Sequence, residues 1–312
     1  MYRRRKVLDL YRISVSGSIE NYEGREAGKD KCVNGKKVTF AFLISLLLDF
    51  ICIWVIKRYD TGITDNLVLG NFLSEATVLV PGLIFVFASK EKFVDFMGFR
   101  KIKPGTMLAI IPYAMFTMPL IVLFNLISQF FADNAVVSMM SEYNMAELPF
   151  IQLFFTLAVF APLCEEMICR GVYYQGCKKS GSAFGAMLFS SLLFGLMHMN
   201  INQAVYALVM GVLAVLLVEA TGSLWASVIY HGLINGSQAI LMYGMLKQDP
   251  GIYTEVADTI STDLLVYGVA VYLLIAAICL PLGWGLLVWM GEHENRSGVL
   301  RQLWNSRKKK EA

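Results

Sequence analysis

Three short constellations in this chain carry side chains that can move protons, and each sits in an apolar run. The first is Glu165-Glu166-x-x-x-Arg170, preceded by the run from Phe150 to Cys164. The second is Phe194-x-x-x-His198, and the third is His231-x-x-x-Asn235. Ionised carboxylates are expensive in hydrocarbon and persist there mainly when paired or functional. Glu166 and Arg170 are four apart, so they share a helix face and can neutralise each other. Glu165 points about 100° away on the same helix. A carboxylate with no partner on its own helix has the chemistry of a general base. Glu166 reads more simply as the residue that positions the helix and Arg170.

Each of the other two constellations has a plain structural reading. A single His at a helix end is commonly interfacial, and a His/Asn pair on one face can be ordinary interhelical hydrogen bonding. Depth joins them to the glutamates. A tight turn, Lys178-Lys-Ser-Gly181, separates two apolar segments, with Glu165 15 residues before Ser180 and His198 18 residues after it. At helical rise both lie roughly 20–27 Å from that turn, on antiparallel neighbours. Asn235, 13 residues beyond Gly222, reaches about 20 Å on a third helix. Carboxylate, imidazole and amide are thus expected at one level of a bundle core.

Such a set supports hydrolysis. Glu165 with His198 can activate a water, while His231 and Asn235 can donate hydrogen bonds to the oxyanion of a tetrahedral intermediate. Two imidazoles and a carboxylate are also a zinc ligand type, so His198, His231 and Glu165 are the expected ligands if a divalent metal is bound. The residues leave metal-activated and Glu/His-activated water both open. No H-E-x-x-H occurs, and no serine sits in a G-x-S-x-G elbow.

The elements that must hold these residues are membrane helices. Of 312 residues, 56% are hydrophobic and only 16% charged, against about a quarter charged in a soluble domain. The charges crowd into the ends and a few loops. Between them lie apolar runs long enough to span a bilayer. Eight segments are expected, near Thr39–Ile56, Leu67–Ser89, Thr106–Phe131, Phe150–Cys177, Ala183–His198, Gln203–Glu219, Leu224–Leu246 and Leu264–Met290. The fold class is an all-α polytopic bundle. Its expected divisions are a basic arm over 1–38, three helices with loops over 39–147, a catalytic bundle over 148–246, and a last helix with a basic tail over 247–312. Ser138–Glu147 reads as a short interfacial or loop helix. Asp49 is an intramembrane carboxylate to which the sequence assigns no role.

Every second loop is basic, so both termini are expected in the cytoplasm, and the expected location is the cell membrane. The basic ends, including Arg307 to Lys310, fit contact with anionic lipid and not nucleic acid. No cleavable signal peptide is expected at the N-terminus. The six cysteines lack a CxxC pattern and read as small core residues.

The ordered trio of E-E-x-x-x-R, F-x-x-x-H and H-x-x-x-N, spread over roughly residues 148–245, resembles the CPBP intramembrane proteases. That group joins the type II CAAX prenyl endopeptidases with the bacterial Abi, bacteriocin-processing and immunity proteins. The resemblance implies Glu165 as general base helped by His198, and His231 with Asn235 as oxyanion hole. It implies Glu166, Arg170 and Phe194 as supporting residues, and zinc as a debated cofactor. The expected partner is a peptide or membrane-protein substrate. A non-proteolytic scaffold or immunity protein of the same fold is the alternative. A transporter is a third, against which stands the lack of inverted repeats.

Overall fold

The computed structural model describes residues 34–59, 66–134, 137, 148–249 and 260–306. Most of the N-terminal arm with Cys32, the Ser138–Glu147 segment and the Arg307–Lys310 tail lie outside the described residues. All regular structure among the described residues is helical. The long helices are α1 (Gly35–Tyr59), α2 (Leu67–Ala88), α4 (Pro104–Ser128), α5 (Phe150–Ser180), α6 (Ala183–Met197), α7 (Ile201–Thr221), α8 (Leu224–Gln248) and α9 (Thr262–His293). Two short helices, α3 (Phe93–Met97) and α10 (Val299–Asn305), complete the set.

Local chemistry explains the boundaries. Asn66, Ser182, Asn200, Ser223 and Ser261 each accept a hydrogen bond from a backbone N–H in the first turn of the helix they precede, satisfying a donor the helix cannot. Gly222, at φ 73°, closes α7 in the left-handed conformation that a helix stop favours.

All eight expected segments are helices, but they are not equivalent. Six are long and apolar enough to cross a membrane. The helix α6 has only 15 residues, short of the ~20 a span needs. The helix α8 has the length, 25 residues, but Ser227, His231, Asn235, Ser237 and Gln238 dilute its apolarity. The protein is a multi-pass membrane protein, and the helix carrying the His/Asn pair is not among the six candidate spans of the described residues.

The helix α7 is the best-buried span. The hairpin α6–α7 closes through small residues: a methyl on Gly195 would stand 2.6 Å from the Ala204 carbonyl oxygen, and one on Gly211 2.8 Å from Ser191 Cβ. Such contacts are how membrane helices associate without a hydrophobic drive between them. The helix α9 lies at the periphery against α4, with Gly283 facing Phe116 and Thr117. Its outer face, with Tyr267, Leu274 and Ile278, is exposed, as is proper for a lipid-facing surface. Cys52, Cys164, Cys169, Cys177 and Cys279 are free thiols, three of them buried.

Candidate active site in the helix bundle

The helix α5 carries Glu165 and Glu166 between two π-helical stretches, Phe155–Phe160 and Met167–Tyr174. From the sequence this run is expected as a single segment, Phe150–Cys177, with no interruption. Wider turns of this kind often mark functional sites. Pro162 supplies part of the cause. In the first stretch N–H groups bond five residues back, as Ala161 does to Thr156. Proline has no N–H, so the next carbonyl in that register, Leu157, loses its donor. Asn235 Nδ2 of α8 donates to it at 3.2 Å. One turn earlier on α8, Gly232 lets the Ala158 carbonyl approach, since a methyl there would stand only 2.7 Å from that oxygen. The sequence of α5 therefore frees the Leu157 carbonyl, which Asn235 receives, and α8 has a glycine where the Ala158 carbonyl comes close.

This docking sets His231 beside the glutamates. His231 Nδ1 stands 2.9 Å from Glu166 Oε1, and Arg170 Nη1 reaches the same oxygen at 2.8 Å. All three side chains are essentially shut off from solvent. The Glu166–Arg170 pairing expected from spacing is present, but Glu166 also holds an imidazole. An ionised carboxylate only accepts, so Nδ1 of His231 carries a hydrogen and donates it. The opposite nitrogen, Nε2, faces Glu165 Oε2 at 3.6 Å.

Phe194 of α6 is the hub of the remaining contacts. The Arg170 guanidinium lies 4.3 Å over its ring. The rings of His198 and His231 meet it edge-on at 5.1 and 5.7 Å. His198 caps the end of α6, and its Nδ1 stands 2.9 Å from the Phe194 carbonyl oxygen. A carbonyl only accepts, so Nδ1 holds the hydrogen and Nε2 of the neutral ring keeps its lone pair. The structure thus gathers Glu165, Glu166, Arg170, Phe194, His198 and His231 in one region. Asn235 sits one turn further along α8, with an amide N–H engaged by Leu157.

One residue of this region belongs to no motif. Glu75, on α2, is buried and lies within side-chain hydrogen-bonding reach of Glu165. Its only signal in the sequence is that it is an acidic residue inside an apolar run, the same signal that Glu165 gives. Asp49, on α1, is buried too and accepts a hydrogen bond from Thr77 Oγ1.

A resident metal fits this set poorly. Glu165 Oε2 and His231 Nε2 are near enough to share an ion, but structural and catalytic zinc sites take three or four protein ligands. Among the described residues no three His, Cys, Asp or Glu side chains form a ligating group. No step below is routed through a metal. A separate apolar cavity of about 620 Å³ lies between α6, α7, α9 and α10, lined by Phe184, Met187, Trp284 and Trp304. Phe184 is ten residues from Phe194 on α6, about 15 Å along the axis, so this cavity is not at the polar set.

Fold and site together define a polytopic helical membrane protein with an acid, imidazole and amide constellation inside its bundle. Residues 147–237 match the family model of the Rce1-like type II CAAX prenyl endopeptidases. This stretch is under a third of the chain, and over it the chain is similar to the CPBP/CAAX protease family. No curated protein and no solved structure matches it. The matched residues run from the start of α5 into α8 and include all seven motif positions.

Proposed function

We propose that the chain is an intramembrane endopeptidase that hydrolyses a peptide or membrane-protein substrate with water activated by Glu165 and His198. The observation that carries the reading is the facing pair Glu165 Oε2 and His231 Nε2, 3.6 Å apart, with His231 locked from behind by Glu166. Glu165 takes a proton from water while the lone pair of His198 Nε2 orients it. The hydroxide oxygen bonds to the scissile carbonyl carbon, and the carbonyl π pair moves onto its oxygen. The second N–H of the Asn235 amide, and Nε2–H of His231 when that ring is charged, stabilise the oxyanion. Collapse restores the carbonyl and breaks the C–N bond. The proton held by Glu165 passes to the departing amine.

Glu166, Arg170 and Phe194 hold the imidazoles and do not touch the reacting atoms. A cell-membrane location with both termini in the cytoplasm is part of the reading, supported by the alternation of basic loops.

The test is proteolysis by the purified full chain in detergent, with an internally quenched farnesylated CAAX-ended peptide and its unprenylated counterpart as probes. Glu165→Ala and His198→Ala should each abolish cleavage that the parent performs. Equal rates in variants and parent, or no cleavage of either probe by the parent, would overturn the reading. One observation favours a second reading, a scaffold or immunity protein. Asn235, Glu166, Arg170 and His231 all have partners that account for them as packing. On that reading the alanine variants keep the cellular phenotype.

A further inference from the structure

We propose that Glu75 is a positioning residue for Glu165, holding the base carboxylate in the orientation that faces His231. The inference rests on Glu165 being the base, as proposed above.

Its ground is the way α2 lies along α5. Both helices run in the same direction, and two contacts fix their register. Phe72 stacks on Phe160 with centroids 3.9 Å apart. At the other end Gly82 admits Ile168, whose Cδ1 would lie 2.0 Å from any methyl there. Glu75 falls between these anchors and meets Glu165, which falls between Phe160 and Ile168. The helix α2 is in turn pinned to α1. Ser45 Oγ donates to the Val78 carbonyl at 3.2 Å, and Thr77 Oγ1 donates to Asp49. Glu75 therefore approaches Glu165 from a helix held on both sides.

A glutamate side chain has three rotatable bonds, and fixing it costs side-chain entropy. Packing alone restrains the stem but not the carboxylate plane. A hydrogen bond between two carboxyl groups requires that one donate a proton and the other accept. Made by Glu75, that bond restrains the carboxylate plane of Glu165 from α2. It leaves Glu165 Oε2, which is buried and makes no hydrogen bond within the protein, turned toward His231 Nε2. Catalytic groups work when their rotamers are locked by such supports.

The test measures kcat and KM for the farnesylated peptide with Glu75→Gln, Glu75→Asp and Glu75→Leu, and the melting temperature of each, beside Glu165→Ala. Glutamine keeps the reach and supplies an N–H donor, so its kcat should stay within about threefold of the parent. Aspartate is one methylene short and leucine has no donor. Both should lower kcat by roughly tenfold or more with KM within about twofold. Where the leucine variant does not fold, aspartate decides. Parent-like kcat for aspartate or leucine overturns the inference. So does a glutamine variant as impaired as leucine, or losses of kcat that simply follow melting temperature. Activity in Glu165→Ala would instead overturn the proposed function, and this inference with it.

Discussion

His231 Nδ1 donates to Glu166 Oε1 across 2.9 Å, and the same oxygen takes Arg170 at 2.8 Å. One carboxylate oxygen thus compensates a buried guanidinium and fixes the imidazole that faces Glu165. Glu166→Ala would leave Arg170, 1% exposed, as an uncompensated buried charge. That loss should destabilise the fold by about 3–5 kcal/mol. Unfolding in mixed micelles would measure it. The double variant Glu166→Leu/Arg170→Met removes both charges and should lose less than the sum of the single changes. An additive double variant would show that the two side chains are not coupled.

The seat of α8 on α5 makes a second prediction. Gly232→Ala puts a methyl 2.7 Å from the Ala158 carbonyl, where the neighbour is backbone and cannot swing away. Overpacking of this kind should cost about 1–3 kcal/mol, and the shift of α8 should lower turnover by moving His231. Gly244, on the same helix, has nothing within 4 Å of the added methyl. Gly244→Ala should therefore leave turnover unchanged and stabilise the protein by roughly 0.5–1 kcal/mol. Thermal melts and rates on the two variants check both halves, and equal behaviour would refute the docking argument.

What could be read from the sequence follows the range of the interactions. Run length located the eight long helices because an apolar run is a local property. Four-residue spacing found the Glu166–Arg170 pair for the same reason. It could not show that Glu166 also binds His231, 65 positions away, or that Glu165 meets Glu75. Those contacts depend on how helices pack, which no spacing rule encodes. The π-helical stretches were equally hidden, although Pro162 stood in plain view. Its effect depends on Asn235 being there to take the freed carbonyl. Asp49 looked unexplained because its partner, Thr77, lies on the next helix.

Pro162 itself can be tested. Pro162→Ala returns an N–H to α5, which can donate to the Leu157 carbonyl in place of Asn235 Nδ2. The helix should become more regular, with melting temperature held or raised, because the proline penalty in a helix interior is about 3 kcal/mol. Turnover should fall, since Asn235 loses the bond that aims it. Asn235→Ala in the parent should cost about 10²–10³ in kcat if the amide serves the oxyanion. In the Pro162→Ala background the same change should cost clearly less. Equal effects in both backgrounds would mean that Asn235 is aimed by something other than Leu157.

Metal dependence is decided by how His198 relates to the other two candidate ligands. Glu165 Oε2 and His231 Nε2 face each other at 3.6 Å, and His198 is anchored through Nδ1 to Phe194 at the end of α6. For zinc to bind, His198 Nε2 would have to come within about 2.0–2.1 Å of the ion that Glu165 and His231 share. Among the described residues no such group of three is formed. Hydrolysis is therefore expected to survive exhaustive treatment with 1,10-phenanthroline, with turnover within about twofold of the untreated protein. Metal analysis of the purified chain should find zinc well below one ion per chain. The informative comparison is His198→Gln, whose amide can still accept from water but is a poor zinc ligand. Partial activity in that variant, insensitive to chelator, fits water oriented by a hydrogen bond. Loss of parent activity on chelation, restored by added zinc, would refute the metal-free route and require α6 to carry His198 inward.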